Sequence, residues 1–104
     1  MKYTILPASL ALALSSGASL AADAQQLLKD KACLTCHQLD KKVVGPAYKD
    51  VAAKYKSRKD AEAYLVGKIK GGSTGVWGQI PMPPNGTVSD AEAHTLAKFI
   101  LTVK

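Results

Sequence analysis

Apolar and polar positions divide the chain into a long apolar N-terminal run, four short stretches with helical period, and irregular segments between them. Residues 23–31 put Ala24, Leu27 and Leu28 on one side, which predicts a short first helix. From Ala47 to Tyr55, the positions Tyr48, Val51, Ala52 and Tyr55 recur at helical spacing. A third helix is predicted behind Ser57-Arg-Lys-Asp60, read as a capping box. Its inner face is Ala61, Leu65 and Ile69, and Gly71-Gly72 stops it. Ser89-Asp-Ala-Glu92 is a second capping box, opening a fourth helix through Ala93, Leu96, Ala97, Ile100 and Leu101. The strict alternation of a half-buried strand appears nowhere. The pattern therefore predicts an all-α domain of about four short helices.

Two segments do not fit a packed helical domain. At the N-terminus, Lys2 precedes the mostly apolar run Ile5 to Leu14, broken by Pro7 and Ser9, and residues that are small apart from Leu20 then continue from Ser15 to Ala22. That order predicts a secretory signal peptide over residues 1–22, cleaved after Ala21 or after Ala22. The run is too short and interrupted for stable membrane insertion. Residues 23–104 are then the folded domain, delivered to the periplasm. The second segment, Gly71 to Val88, holds five Gly together with Pro81, Pro83 and Pro84. An irregular stretch of that length inside so small a domain needs a reason. Four helices lined by so many small side chains would bury a thin core, so something besides side chains is expected to fill the middle.

Composition narrows what that filler can be. The 104 residues suffice for one domain, and 47% hydrophobic with 21% charged residues excludes a disordered chain. Two Cys exclude a disulfide-rich scaffold, a four-thiolate zinc ribbon and a four-thiolate iron–sulfur cluster. Both Cys fall in Cys33-Leu-Thr-Cys36-His37, the CxxCH attachment pattern of c-type haem. Each thiol can add to a haem vinyl group, and the adjacent His is then placed to bind the iron. A dithiol oxidoreductase would need a βαβ context, which the pattern lacks. A zinc site would need further ligands, and His94, the other His, sits off the inner face of the last helix. Met82 is the one Met after the signal segment, flanked by prolines that restrict the backbone. A soft thioether on a stiff loop suits iron, so Met82 is the favoured sixth ligand, with His94, a Lys or an open position as alternatives.

Cys33-x-x-Cys36-His37, Val44-Gly45-Pro46-Ala47-Tyr48-Lys49-Asp50-Val51-Ala52-Ala53-Lys54-Tyr55, Gly75-Val76-Trp77-Gly78 and Pro81-Met82-Pro83-Pro84-Asn85 follow one another in this order. Together they resemble the small bacterial class I cytochromes c of the cytochrome c-551 type, over nearly all of residues 23–104. The resemblance implies a class I cytochrome c fold around one covalent haem c, in a protein that carries single electrons and is no enzyme. It implies His37 and Met82 as axial ligands. It also implies that the Pro46 carbonyl orients His37, Trp77 donates its indole N–H to a haem propionate, and Asn85 supports the Met82 sulfur. The chain departs from some relatives at Lys68, where they carry Arg, at Phe99, where Trp is common, and at Gly86-Thr87, which lengthens the loop after Asn85.

Charge bears on partners. The formal net charge is +6, and Lys41, Lys42, Lys49, Lys54, Lys56, Arg58, Lys59, Lys68 and Lys70 make the middle of the chain basic. Such a surface steers association toward acidic redox partner proteins. Nucleic acid is excluded as a partner by the few aromatics, the lack of a binding motif and the export signal. A monomer is the expected state.

Overall fold

The computed structural model describes residues 3–4 and 16–104. Among these residues there are four α-helices and no strand, as the periodicity predicts: α1 Ser16–Asp30, α2 Tyr48–Tyr55, α3 Ala61–Gly71 and α4 Asp90–Ile100. A single 3₁₀ turn, Cys33–Thr35, follows α1. Most of the proposed signal segment, residues 1–2 and 5–15, lies outside the described residues.

The last helix organises the rest, packing against α1, α2 and α3. Its buried positions Ala93, Leu96, Ala97 and Ile100 are spaced i, i+3, i+4 and i+7, one continuous stripe. Ser89 accepts from the Glu92 amide at 3.1 Å while the Glu92 carboxylate accepts from the Ser89 amide at 3.0 Å, so the predicted capping box is formed. Leu28 of α1, Tyr48, Val51 and Tyr55 of α2, Ala61, Leu65 and Ile69 of α3, and Val88 complete the core.

Helix boundaries depart from expectation in two places. α1 begins at Ser16, not near Asp23, and runs unbroken through both candidate cleavage points. Ala18, Ala21 and Ala22 are strong helix formers, which favours that extension. The second departure is a correction: Ser57 caps nothing. The N-cap of α3 is Asp60, with no side-chain cap bond. Arg58 takes the Asp60 carboxylate through Nε and, at 3.1 Å, Nη2, so no acid remains to reach back to Ser57. α2 solves its own N-terminus differently: the amides of Tyr48 and Lys49 donate to the carbonyls of Gln38 and Leu39 at 2.9 and 3.0 Å. The start of α2 is thereby tied to the segment just after His37.

Candidate functional site

The CxxCH segment folds as a compact turn. The amides of Cys36 and His37 both donate to the Cys33 carbonyl, at 3.2 and 3.0 Å, which turns Cys33, Cys36 and His37 toward one cavity. Ala32 enters this turn with φ of 61°, a left-handed conformation that redirects the chain out of α1. The two Cys are free thiols, each half-buried. Burial pushes the Cys33 thiol above its ordinary value, opposed by a hydrogen bond shared with the Tyr48 hydroxyl. The same burial, reinforced by the two thiols, pushes Tyr48 strongly upward, so the phenol keeps its proton.

His37 is held from three sides. Its Nδ1 lies 2.8 Å from the Pro46 carbonyl, and a carbonyl can only accept, so Nδ1 carries a proton and Nε2 is the nitrogen left for another partner. The imidazole stacks on Tyr48, with centroids 4.7 Å apart and planes 18° from parallel. Gly45 closes the third side. A Cβ there would lie 2.5 Å from His37 Cε1, so a residue without a side chain lets the backbone pass with the imidazole left in place. At 8% exposure, His37 is the buried polar residue of this core, a cost met by its hydrogen bond.

Met82 comes from the other side of the chain. Ser73 and Met82 exchange both backbone hydrogen bonds, Ser73 N to Met82 O at 3.0 Å and Met82 N to Ser73 O at 2.8 Å. Gly72 makes this pairing feasible. It has φ of +84°, and a Cβ there would lie 2.7 Å from the Met82 carbonyl oxygen. Beyond the prolines, the Asn85 amide donates to the Ile69 carbonyl at 3.0 Å. The Asn85 side chain donates through Nδ2 to the Lys31 carbonyl at 2.9 Å and accepts from the Thr87 hydroxyl at 2.8 Å.

These two walls enclose a cavity of about 370 Å³. Cys33, Cys36, His37, Pro46, Trp77 and Met82 all line it, among apolar side chains that include Leu65, Ile69 and Leu96. Asn85 does not line it and belongs to the anchor behind Met82. His94, the alternative ligand, is remote from it. Its Nδ1 meets the Glu62 carboxylate at 2.6 Å on the exposed side of α3 and α4. Trp77 stands at the mouth, edge-on to Tyr55 with centroids 6.3 Å apart and with Lys54 Nζ 4.8 Å from its ring centre. The mouth is open and apolar: Ile80 is 68% exposed, and Val43, Val44 and Val76 are exposed beside it.

The donor set fits a covalently attached iron porphyrin. Two thiols, an imidazole with Nδ1 already engaged and a thioether line one apolar cavity within the size range of cofactor sites. Sequence reasoning missed Gly45, Gly72, Tyr48 as the stacking partner, and Lys31. For Gly45 a signal was present, because a Gly directly before Pro46 marks a close backbone approach.

The sequence description of the cytochrome c family matches residues 21–104. The cytochrome c-552 of Nitrosomonas europaea is 65% identical over 78 residues, covering 75% of this chain and 76% of that protein. Its crystal structure superposes with a TM-score of 0.75 at 64% identity, over 77% of this chain and 99% of that one. The cytochrome c-551 of Pseudomonas aeruginosa is 60% identical over 84 residues, 81% of this chain and 80% of its own. The class 1 cytochrome MtoD of Sideroxydans lithotrophicus shares the fold with a TM-score of 0.68 at 31% identity, over 79% of this chain and 94% of that one.

Proposed function

This chain belongs to the cytochrome c family, and we propose that within it the protein is a periplasmic single-electron carrier whose haem iron is held by His37 and Met82. Its cofactor is haem c and its class is electron carrier rather than enzyme. Attachment is assigned to Cys33 and Cys36 as two thioethers. The observation that carries the reading is the convergence of both thiols, His37 and Met82 on one apolar cavity, with His37 Nδ1 fixed by Pro46.

When bound, haem c supplies an iron that accepts and returns one electron. The protein's part is to keep that exchange inexpensive. His37 offers Nε2 as ligand because the Pro46 carbonyl claims the other nitrogen and fixes the ring. The Met82 thioether, a soft ligand, favours the reduced iron and raises the potential. The apolar lining from Leu65, Ile69 and Leu96 excludes water and disfavours added charge. Trp77 at the mouth is assigned as donor to a propionate, and the second amide hydrogen of Asn85 as support for the Met82 sulfur. Contact with partners is assigned to the apolar mouth around Ile80, with nearby lysines such as Lys42 and Lys68 steering acidic partners. A monomer suffices for this role.

Delivery to the periplasm rests on the signal pattern of residues 1–22, with cleavage inside the N-terminal half of α1, after Ala21 or Ala22. No helix among the described residues is long and apolar enough to cross a membrane.

The test is the visible spectrum of the exported, haem-loaded protein in both oxidation states. Low-spin bands, colour retained through denaturation and a far-red sulfur-to-iron band in the ferric form are expected. Met82→Ala should abolish that band and open the iron to cyanide and carbon monoxide. Ferric wild type that is high-spin and already binds cyanide freely would overturn the ligation. N-terminal sequencing of the same sample should begin at Ala22 or Asp23.

A further inference from the structure

The segment carrying Met82 is a stiff piece of chain with few bonds of its own. Pro81, Pro83 and Pro84 restrict the backbone but have no amide to donate, so Met82 supplies the one N–H among residues 81–84. Such a segment moves as a unit about its ends, and its position depends on what grips them. Ser73 grips the segment at Met82 itself, through the two-way backbone pairing.

Downstream the grip comes from Lys31. Its carbonyl accepts from Asn85 Nδ2 at 2.9 Å, and its Nζ donates to the Thr87 carbonyl at 2.9 Å. The same ammonium lies 3.5 Å from Glu92 Oε1, with side-chain exposures of 20% and 33%, so the pair is partly shielded from water. Glu92 is already fixed by the cap of α4, through the Ser89 amide. Lys31 is fixed in turn by its own amide, which donates to the Leu27 carbonyl at 2.8 Å. One residue, two positions before Cys33, thereby joins the end of α1, the turn after Met82 and the cap of α4.

We propose that Lys31 is a positioning residue for the sixth iron ligand: by holding the Asn85–Thr87 turn it keeps the Met82 sulfur in the cavity. This rests on Met82 being that ligand. The chain through Lys31 Nζ is the part that can be removed without touching the core. Its loss frees the Thr87 carbonyl and leaves Glu92 with its cap bond alone. The turn is then held by the Asn85 contacts only, and Met82 leaves the iron more often.

The test uses haem-loaded ferric protein with three variants: Lys31→Met, which keeps the apolar stem, Lys31→Arg, which keeps charge and donors, and Lys29→Met, which removes a neighbouring charge. Two quantities are compared with helix unfolding followed by circular dichroism: the temperature at which the far-red band fades, and the rate of cyanide binding. Lys31→Met should bind cyanide about 5- to 10-fold faster, the factor one ordinary net hydrogen bond is worth, because the tie is partly solvated. Its far-red band should fade well below the temperature at which the helices melt. Lys31→Arg should restore both, and Lys29→Met should match wild type. If Lys31→Met matches Lys29→Met, or if band and helices vanish together at one lowered temperature, the assignment is wrong. A wild type without the far-red band overturns the Met82 ligation and the inference with it. A band present but indifferent to Lys31→Met overturns the inference alone. Should Lys31→Met fail to take up haem, Glu92→Gln loosens the same tie from α4; an unchanged cyanide rate there would also refute it.

Discussion

The two walls of the cavity are built on different principles. The His37 wall is local: the 3₁₀ turn, the Pro46 carbonyl, Gly45 and Tyr48 all lie within sixteen residues of Cys33 along the chain. The Met82 wall is assembled from distant pieces. Ser73 pairs with Met82, Ile69 accepts from Asn85, and Lys31 reaches the turn across 54 and 56 positions of sequence. Burial follows the same division, with His37 sealed and Met82 partly exposed beside an open mouth. A local wall is specified by its own motif and resists disturbance elsewhere. A long-range wall transmits disturbance from α1, α3 and α4 alike, so Met82, the proposed sixth ligand, should be the first to yield under heat or acid.

Gly72→Ala strikes the long-range wall hardest. The new Cβ would lie 2.7 Å from the Met82 carbonyl oxygen, which is backbone and cannot rotate away, and φ of +84° adds strain of its own. A loss of about 2–4 kcal/mol is expected, combining overpacking with left-handed strain. Thermal unfolding would measure that loss, with the far-red band vanishing first. Gly45→Ala is the matching insult to the local wall. Its Cβ would meet His37 Cε1 at 2.5 Å, but the imidazole is a side chain that can tilt, so about 1–3 kcal/mol is expected. The tilt strains the bond to Pro46, so the potential should shift while the far-red band survives. If Gly45→Ala removed the band and Gly72→Ala spared it, the division between the walls would be wrong.

The same division explains what could be read from sequence. CxxCH, the stripe Ala93, Leu96, Ala97 and Ile100, and the Ser89/Glu92 box are each decided by residues within one or two turns, and the structure has the four helices in place. Ser57 failed as a cap because Arg58 competes for Asp60, a contest between neighbours that spacing alone cannot decide. In the sequence pattern Lys31 is only the last residue of the predicted first helix. Its role depends on a turn more than fifty residues later, and no periodicity carries that information. Gly72 was legible as a helix stop but not as the passage for the Met82 backbone, since the second requires knowing what lies opposite.

α4 lends Leu96 to the cavity lining but neither His37 nor Met82, and Ser89→Ala separates the contribution of its cap from that of the two walls. Losing the side-chain acceptor for the Glu92 amide should cost about 1 kcal/mol, as for other N-caps. In a domain of this size that is a fall of roughly 4–8 °C in the unfolding midpoint. The spectrum at room temperature should be unchanged, because neither His37 nor Met82 is moved. A lost far-red band in Ser89→Ala would mean that the cap of α4 itself sets Met82, and that the walls are not separable.

The smallest expected effect is acid sensitivity, and it points to the same wall. Lys70 beside Asp90 holds that carboxyl below its ordinary value; at Glu92 the Ser89 amide does so first, with Lys31 adding to it. A carboxyl held down in the fold contributes stability that is complete above its unfolded value and is lost as pH falls through its lowered one. The window therefore opens near pH ~4, where free carboxyls begin to protonate, and extends downward. Asp90 is exposed and Glu92 only partly shielded, so the loss is modest and shrinks in high salt. As Glu92 protonates, Lys31 loses its charged partner while keeping Thr87, and the Met82 anchor loosens by part of what Lys31→Met removes. On lowering the pH of ferric protein, the far-red band should fade before helix content falls, and Glu92→Gln should flatten that early phase. If band and helices decline together at every pH, acid acts on the fold as a whole and the Met82 wall has no weakness of its own.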